Sequence, residues 1–290
     1  TGLPTHVMQP LLRHAVGAAY DAAQAILRLY AGAVAVQYKE DRSPLTAADR
    51  SSHELILAAL QQADGALPVL SEESRETPAA ERTAWRRFWL VDPLDGTKEF
   101  LKRNGEFTVN IALVEDGQPV LGVVLAPVLK TLYVGCRGRG AFKAEEGRHF
   151  QSRAELLAGA ADPEAAGWQR LPWAPTESGT VRVVASRSHE NDETRAFIAR
   201  LSAEHGRVSL VSIGSSLKLC LVAEGTADVY PRLAPTMEWD TAAAQAVVEA
   251  AGGAVVEYPT GRPLRYNKTS LLNPFFVASR RGWDATTQRG

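Results

Sequence analysis

The sequence predicts a mixed α/β (α+β) fold in which helices and sheets stack in layers. Three observations predict it. Residues 9–36 carry apolar positions at helical spacing, interrupted by Arg13, Asp21 and Arg28. Residues 108–127, "TVNIALVEDGQPVLGVVLAP", hold two β-rich runs around Asp116-Gly117, a hairpin signature. Beyond residue 180 strand-like and helix-like runs alternate, as in an α/β unit.

In chain order, the amphipathic helix over 9–36 comes first. A second helix over "SPLTAADRSSHELILAALQQA" (43–63) follows, with Thr46 as N-cap and Asp49 three residues later. "LPVL" is a short strand running into the acidic "SEES", and "RRFWLV" is a strand. After the hairpin, "TLYVGCRGRGAFKA" reads as a strand pair with a glycine-rich turn. Residues 145–180, rich in Ala, Pro and Gly, read as a long connection. It separates an N-terminal α+β half (1–150) from a C-terminal α/β half (151–290). There "VRVVAS", the helix "ETRAFIARLSAEHG", "VSLVSIG", the helix "SSLKLCLVAEG" and "ADVYPRL" alternate. "WDTAAAQAVVEAAGG" is a final helix closed by glycines.

Composition narrows the class. With 45% apolar and 22% charged residues the chain is an ordinary globular protein, and a net charge of −1 offers no field for holding nucleic acid. No run spans a bilayer, and the charged interruptions of the first helix argue against a signal peptide. Cys136 and Cys220 stand alone, which suits a reducing cytoplasm better than a disulfide scaffold. His53, His149 and His205 lack ligand spacing and read as surface residues.

The chemistry concentrates in "WLVDPLDGTKEF" (89–100), where an apolar strand ends in two aspartates three apart. A Pro-Leu turn would direct Asp92 and Asp95 to one side, and Gly96 and Thr97 would open a tight turn whose N–H groups seat an anion. Acids beside an anion seat make sense with a divalent metal between them, and hard Mg²⁺ prefers oxygen ligands shared with phosphate. Glu72 and Glu73 after "LPVL", and Asp240 at a helix start, are further acids of this kind. Spacing alone leaves other roles open: a turn for Asp95-Gly96, caps for Asp49 and Asp240, a solvated pair for Glu72 and Glu73.

"LSEES", "WLVDPLDGTKEF" and "WDTAAAQAVVEAAGG" together resemble the inositol monophosphatase superfamily of Mg²⁺-dependent, lithium-sensitive phosphatases, from about residue 10 to residue 280. "GTKEF", "RNGEFTVNIAL", "SRSH" and "SIGSSLKLCLVAEGTADVYPR" resemble its CysQ-type branch, the 3′(2′),5′-bisphosphate nucleotidases. The resemblance implies a layered αβαβα sandwich with the active site between the halves. It implies that Glu72, Asp92, Asp95, Asp240 and the carbonyl of Leu94 ligate two or three Mg²⁺ ions, with Li⁺ as inhibitor. Asp49 and Thr97 would form a hydrogen-bonded pair that activates the attacking water, and the N–H groups of Gly96 and Thr97 would hold the scissile phosphate. Ser186, His189, Gly214 and Lys218 would contact the nucleotide, joined by Glu72, Leu94, Asp95 and Asp240.

The residues agree with a second anion site. Gly214, Ser215 and Ser216 precede a helix with Lys218 on its first turn, Arg232 follows a strand, and "SRSH" ends another. The expected reaction is hydrolysis of the 3′-phosphate of adenosine 3′,5′-bisphosphate to AMP, with its 5′-phosphosulfate relative as second substrate. The alternatives are the same metal chemistry on inositol monophosphate or fructose 1,6-bisphosphate, and a Mg²⁺- or nucleotide-sensing binder without turnover. A monomer or homodimer in the cytoplasm, free or loosely held at the inner membrane face, completes the expectation.

Overall fold

The computed structural model describes residues 5–32, 43–63, 67–74, 76–176, 179–185 and 191–283. The first half contains α1 (Thr5–Gly32), α2 (Ser43–Gln61), β1 (Val69–Ser71), α3 (Ala79–Arg82), β2 (Arg87–Asp95) and α4 (Thr97–Lys102). It continues with β3 (Thr108–Glu115), β4 (Gln118–Ala126), β5 (Thr131–Cys136), β6 (Gly140–Glu145), α5 (Arg153–Ala161) and β7 (Gln169–Leu171). The second half adds β8 (Thr180–Val184), α6 (Asp192–His205), β9 (Arg207–Val211), α7 (Leu217–Glu224), β10 (Val229–Arg232), α8 (Glu238–Ala250), β11 (Ala254–Glu257) and β12 (Phe276–Ser279).

Strands β1 to β7 form one sheet in sequence order, antiparallel except for the β1–β2 pair. The second sheet runs β11-β12-β10-β8-β9, with β8 parallel to both neighbours. Alternation along the strands sorts the core. Trp89, Val91, Val109, Ile111 and Leu113 pack with α1 and α2, while Phe88, Leu90, Ala112 and Val114 face α7 and α8. Beyond those helices, Phe276 and Ala278 close the middle layer, and Val181, Val183 and Val277 pack against Phe197 and Leu201 of α6. The order is therefore helix, sheet, helix, sheet, helix, the five-layer sandwich expected.

Close approach sets the middle layer. A Cβ on Gly122 would lie 2.0 Å from the Ala243 carbonyl oxygen, and one on Gly135 would lie 2.5 Å from Val247 Cα. Strands β4 and β5 thus carry the backbone of α8 directly, which explains the run of alanines in that helix and sets where its N-terminus, with Asp240, must fall.

Several expectations need correction. Helix α1 starts at Thr5, and the expected residues 33–36 lie outside the described residues. Thr46 is inside α2, which is already helical at Ser43, so it is not an N-cap. The 145–180 segment is no plain connection: α5 packs on α1, and β7 is the last strand of the first sheet. Its small residues serve packing, since a Cβ on Gly159 would sit 2.6 Å from the Trp168 indole nitrogen. The sheets accordingly change over between Leu171 and Thr180, not near residue 150. The Asp116-Gly117 hairpin forms as read, with both residues at positive φ as a type I′ turn requires.

A buried ion triad fastens the second sheet. The Asp228 carboxylate receives Arg182 Nη2 at 3.0 Å and Arg280 Nε at 2.5 Å, joining β8, the approach to β10 and the end of β12. Asp228→Ala would leave two largely buried guanidiniums without their anion. We expect it to lower unfolding free energy by ~3–5 kcal/mol in urea titrations; an unchanged midpoint would contradict this.

Candidate active site

Strand β2 does not turn at Pro-Leu as expected but continues through Asp95. Its register with β3 explains how both carboxylates still share a side. Asp92 pairs with Asn110 and Asp95 with Thr108, so three steps on β2 oppose two on β3. Residues three apart in a regular strand point to opposite faces, and the extra residue of this bulge cancels that difference. Pro93, lacking an N–H, is tolerated at such a bulge, and its carbonyl accepts the Ser52 hydroxyl of α2 at 2.7 Å.

Carboxylate oxygens of Asp92, Asp95 and Asp240 all lie within 4.8 Å of one another. Each aspartate has one oxygen held by the protein. Leu94 N donates to Asp92 Oδ1 at 3.2 Å, and Met237 N donates to Asp240 Oδ2 at 2.8 Å. Ser215 Oγ and Ser216 N both donate to Asp95 Oδ2, at 2.5 and 2.8 Å. Asp240 therefore does cap α8 while also joining the cluster. Its helix start is secured by the fully buried Glu238, which accepts the N–H groups of Asn267 and Lys268.

Electrostatics bind further acids to this group. Burial, then Asp95, Glu72 and Asp240, push the Asp92 carboxyl well above its ordinary pKa, and Asp92 hydrogen-bonds the carboxyls of both Glu72 and Asp240. Asp240 rises to about 7 through burial and the Asp95 charge. Asp95 is also raised by burial, against the opposing pull of Ser215, Lys218 and Ser216. Asp49 is raised to about 7 by burial, then by Glu73 and Glu72. Its Oδ1 is buried without a hydrogen-bond partner, and among the described residues it makes no bond to the exposed Thr97. Oxygen-only donors, crowded where burial and then their mutual repulsion raise the cost of their charge, suit a hard divalent cation such as Mg²⁺.

Beside the acids lies a cleft of about 240 Å³ lined by Gly96, Thr97, Gly214 and Ser215, with the cations Lys98, Lys102, Lys218 and Arg232 set among the carboxylates Asp95, Glu99 and Glu106. A second cavity shares Asp95, Ser215, Lys218 and Arg232 with this cleft and reaches Asp240, so these two cations stand beside two acids of the cluster. Gly96 sits at φ 95°, where only glycine is unstrained, and a Cβ there would meet Ser215 Cβ at 3.2 Å. The second anion seat expected at Gly214–Ser216 is already filled. Gly214 N donates to Glu106 Oε2 at 2.8 Å and Ser216 N to Asp95, so the protein's own carboxylates take those amides. Lys218 lies on the first turn of α7, its Nζ 5.8 Å above the Tyr230 ring.

Ser186 and His189 lie outside the described residues. Lys98 and Lys102 escaped the sequence reading, although their spacing of four on a short helix was a usable signal. His53 is half-buried rather than a surface residue, its Nδ1 3.1 Å from Ser71 Oγ. His149 is tied by Nδ1 to the backbone of Glu145.

The model of the "Inositol monophosphatase family" matches residues 7–287. A relative from Salmonella typhimurium named "3'(2'),5'-bisphosphate nucleotidase CysQ" is 47% identical over 89% of this chain and 95% of its own length. The relative of the same name from Escherichia coli K12 is 45% identical over 90% of this chain and 96% of its own. The crystal structure of CysQ from Bacteroides thetaiotaomicron superposes with a TM-score of 0.81 at 46% identity, covering 94% of this chain and 98% of that one.

Proposed function

The chain belongs to the inositol monophosphatase family, and we propose that it is a Mg²⁺-dependent 3′(2′),5′-bisphosphate nucleotidase. Its reaction is release of the 3′-phosphate of adenosine 3′,5′-bisphosphate, leaving AMP. One observation carries this reading beyond the matched names. The cleft that carries four cations shares Asp95 with the acid cluster, and its Lys218 and Arg232 also line the cavity that reaches Asp240, so cations for a second phosphate stand beside acids for the metal.

Glu72, Asp92, Asp95, Asp240 and the Leu94 carbonyl are assigned to hold two or three Mg²⁺ ions. When bound, the metal supplies a water of lowered pKa and charge stabilisation for the phosphoryl oxygens. Asp49, with a carboxyl pKa near 7, is suited to take a proton from water at neutral pH, with Thr97 orienting it. The N–H groups of Gly96 and Thr97 receive the scissile phosphate at the start of α4. Lys218 and Arg232 face the 5′-phosphate, supported by Lys98 and Lys102. Gly214 gives the nucleotide a wall, not a donor, because Glu106 holds its amide; Ser186 and His189 are assigned to the nucleoside. Li⁺ competing for a Mg²⁺ position would inhibit, and the 5′-phosphosulfate analogue is a second substrate for the same groove. No helix of the described residues is long and apolar enough to cross a membrane. Both cysteines are free and buried, in keeping with work in a reducing cytoplasm.

The test is phosphate release from adenosine 3′,5′-bisphosphate, 3′-AMP and inositol 1-phosphate, with and without Li⁺, in wild type and Lys218→Ala. We expect the bisphosphate to be preferred and Li⁺ to suppress its turnover. Lys218→Ala should raise its KM about 10- to 100-fold, the cost of one charged hydrogen bond, while leaving 3′-AMP little changed. Preference for the inositol ester would keep the acid cluster and overturn the nucleotide assignment. Nucleotide binding without turnover would favour a sensor.

A further inference from the structure

The two residues that β3 sets opposite the aspartates are Thr108, paired with Asp95, and Asn110, paired with Asp92. Both are buried, at 0% and 1% exposure, in a strand where every other inward position is apolar. A polar pair placed there must be fully bonded to be tolerated. Its partners all lie on the approach to α7.

Thr108 Oγ1 is the hub. It lies 2.7 Å from Ser215 Oγ and 2.8 Å from Ser216 Oγ, and it accepts Asn110 Nδ2–H at 3.0 Å. The direction of the remaining bonds follows from what each group can donate. Asn110 Oδ1 only accepts, so Ser216, 2.6 Å away, gives its single hydroxyl proton there. An ionised Asp95 likewise only accepts, so Ser215 gives its proton to Oδ2. Both serine hydroxyls are thus committed, and the Thr108 proton serves their oxygens one at a time. Removing that hydroxyl would free two serine rotamers at once. Ser215 and the amide of Ser216 are the two donors to Asp95 Oδ2, so the orientation of this carboxylate, and which oxygen it turns to the acid cluster, hangs on the network.

We propose that Thr108 and Asn110 are positioning residues for the metal site: acting through Ser215 and Ser216, they hold Asp95 Oδ2 and present Oδ1 to a divalent cation. The proposal rests on the reading of Asp95 as a metal ligand. It also gives α7 a second duty. The helix turn that carries Lys218 into the substrate groove is the same one that orients the metal ligand, and β3 sets both.

The test uses Mn²⁺ as probe, with free ion counted by electron paramagnetic resonance, so that binding is read without turnover. Thr108→Val keeps the side-chain shape and deletes the hydroxyl; Thr108→Ser keeps the hydroxyl. We expect Thr108→Val to bind Mn²⁺ about 10- to 100-fold more weakly, the usual cost of losing a partner behind a metal ligand. Thr108→Ser should stay close to wild type. In turnover, the Mg²⁺ concentration for half-maximal rate should rise in Thr108→Val while kcat at saturating Mg²⁺ recovers, a split that plain loss of folded protein does not produce. Should Thr108→Val fail to fold, Ser215→Ala measured in the same way carries the same expected weakening. Wild-type affinity in Thr108→Val or in Ser215→Ala overturns the proposal, as does equal loss in Thr108→Val and Thr108→Ser. Wild type that binds no Mn²⁺ would overturn the metal assignment itself, and the proposal with it.

Discussion

Asp92→Asn is expected to cut turnover by at least the ~10²–10³-fold typical of deleting one preorganised charged or polar group, and at the same time to raise the Tm of metal-free protein. The two signs come from one arrangement. Asp92 is 1% exposed, and burial followed by Asp95, Glu72 and Asp240 drives its carboxyl well above the ordinary range. A charge there opposes folding unless a cation answers it, and asparagine keeps the shape while removing the charge. It also keeps an oxygen that can accept the N–H of Leu94. Each kcal/mol of repulsion relieved should appear as ~2–4 °C in Tm for a chain of this size. Saturating Mg²⁺ should reverse the ranking, because only the wild-type carboxylate can bind it as an anion. The measurements are kcat at saturating Mg²⁺ and melting in EDTA and in Mg²⁺. A variant that melts lower than wild type in EDTA would make Asp92 a structural hydrogen-bonding group, and the acids could not then be a seat of unanswered charge. Such opposition between stability and activity is common where a site is built to hold charge.

How far the site could be read from the chain depends on the range of the interactions that build it. The acids were legible because a short motif carries Asp92, Asp95 and the glycine after them, and because helix starts and strand ends are local signals. The bulge that makes the two aspartates neighbours was not legible. It exists only in the register with β3, and the sequence of β2 alone reads as a turn at Pro93. The amides of Gly214 and Ser216 looked open for an anion for the same reason. Their occupants, Glu106 and Asp95, lie 108 and 121 residues away. Among the elements, the hairpin at Asp116-Gly117 was plain from two residues. By contrast α5 and β7 were hidden in a stretch whose Ala and Gly content resembles a loop, although Gly159 is small because an indole lies against it. Strands β11 and β12 carried too short a pattern to stand out, yet β12 pairs with β10 and completes the second sheet.

The stability of the metal-free protein should fall as pH rises from about 4 to about 7, and Mg²⁺ should abolish that fall. The sign follows from linkage. Asp49 and Asp240 have an ordinary carboxyl value of 3.8 and are raised to about 7 in the folded chain. Between those values the folded state holds protons that the unfolded state has released, so its advantage is full below the lower value and is lost as pH passes the upper one. Asp92 and Asp95, raised in the same direction, add to the slope. This runs against the usual behaviour of carboxylates paired with cations, which gain stability over the same range. Mg²⁺ must displace the protons to bind, so it binds more tightly as they leave. The gain in Tm from Mg²⁺ over EDTA should therefore be small near pH 5 and largest near pH 8. Taking the difference between the two buffers cancels titrating groups elsewhere in the chain. A Mg²⁺ gain that stays constant from about pH 5 to about pH 8 would mean that the acids are already ionised in the folded state. In that case the repulsion assigned to the cluster would be absent, and the case for a divalent cation would rest on the oxygen ligands alone.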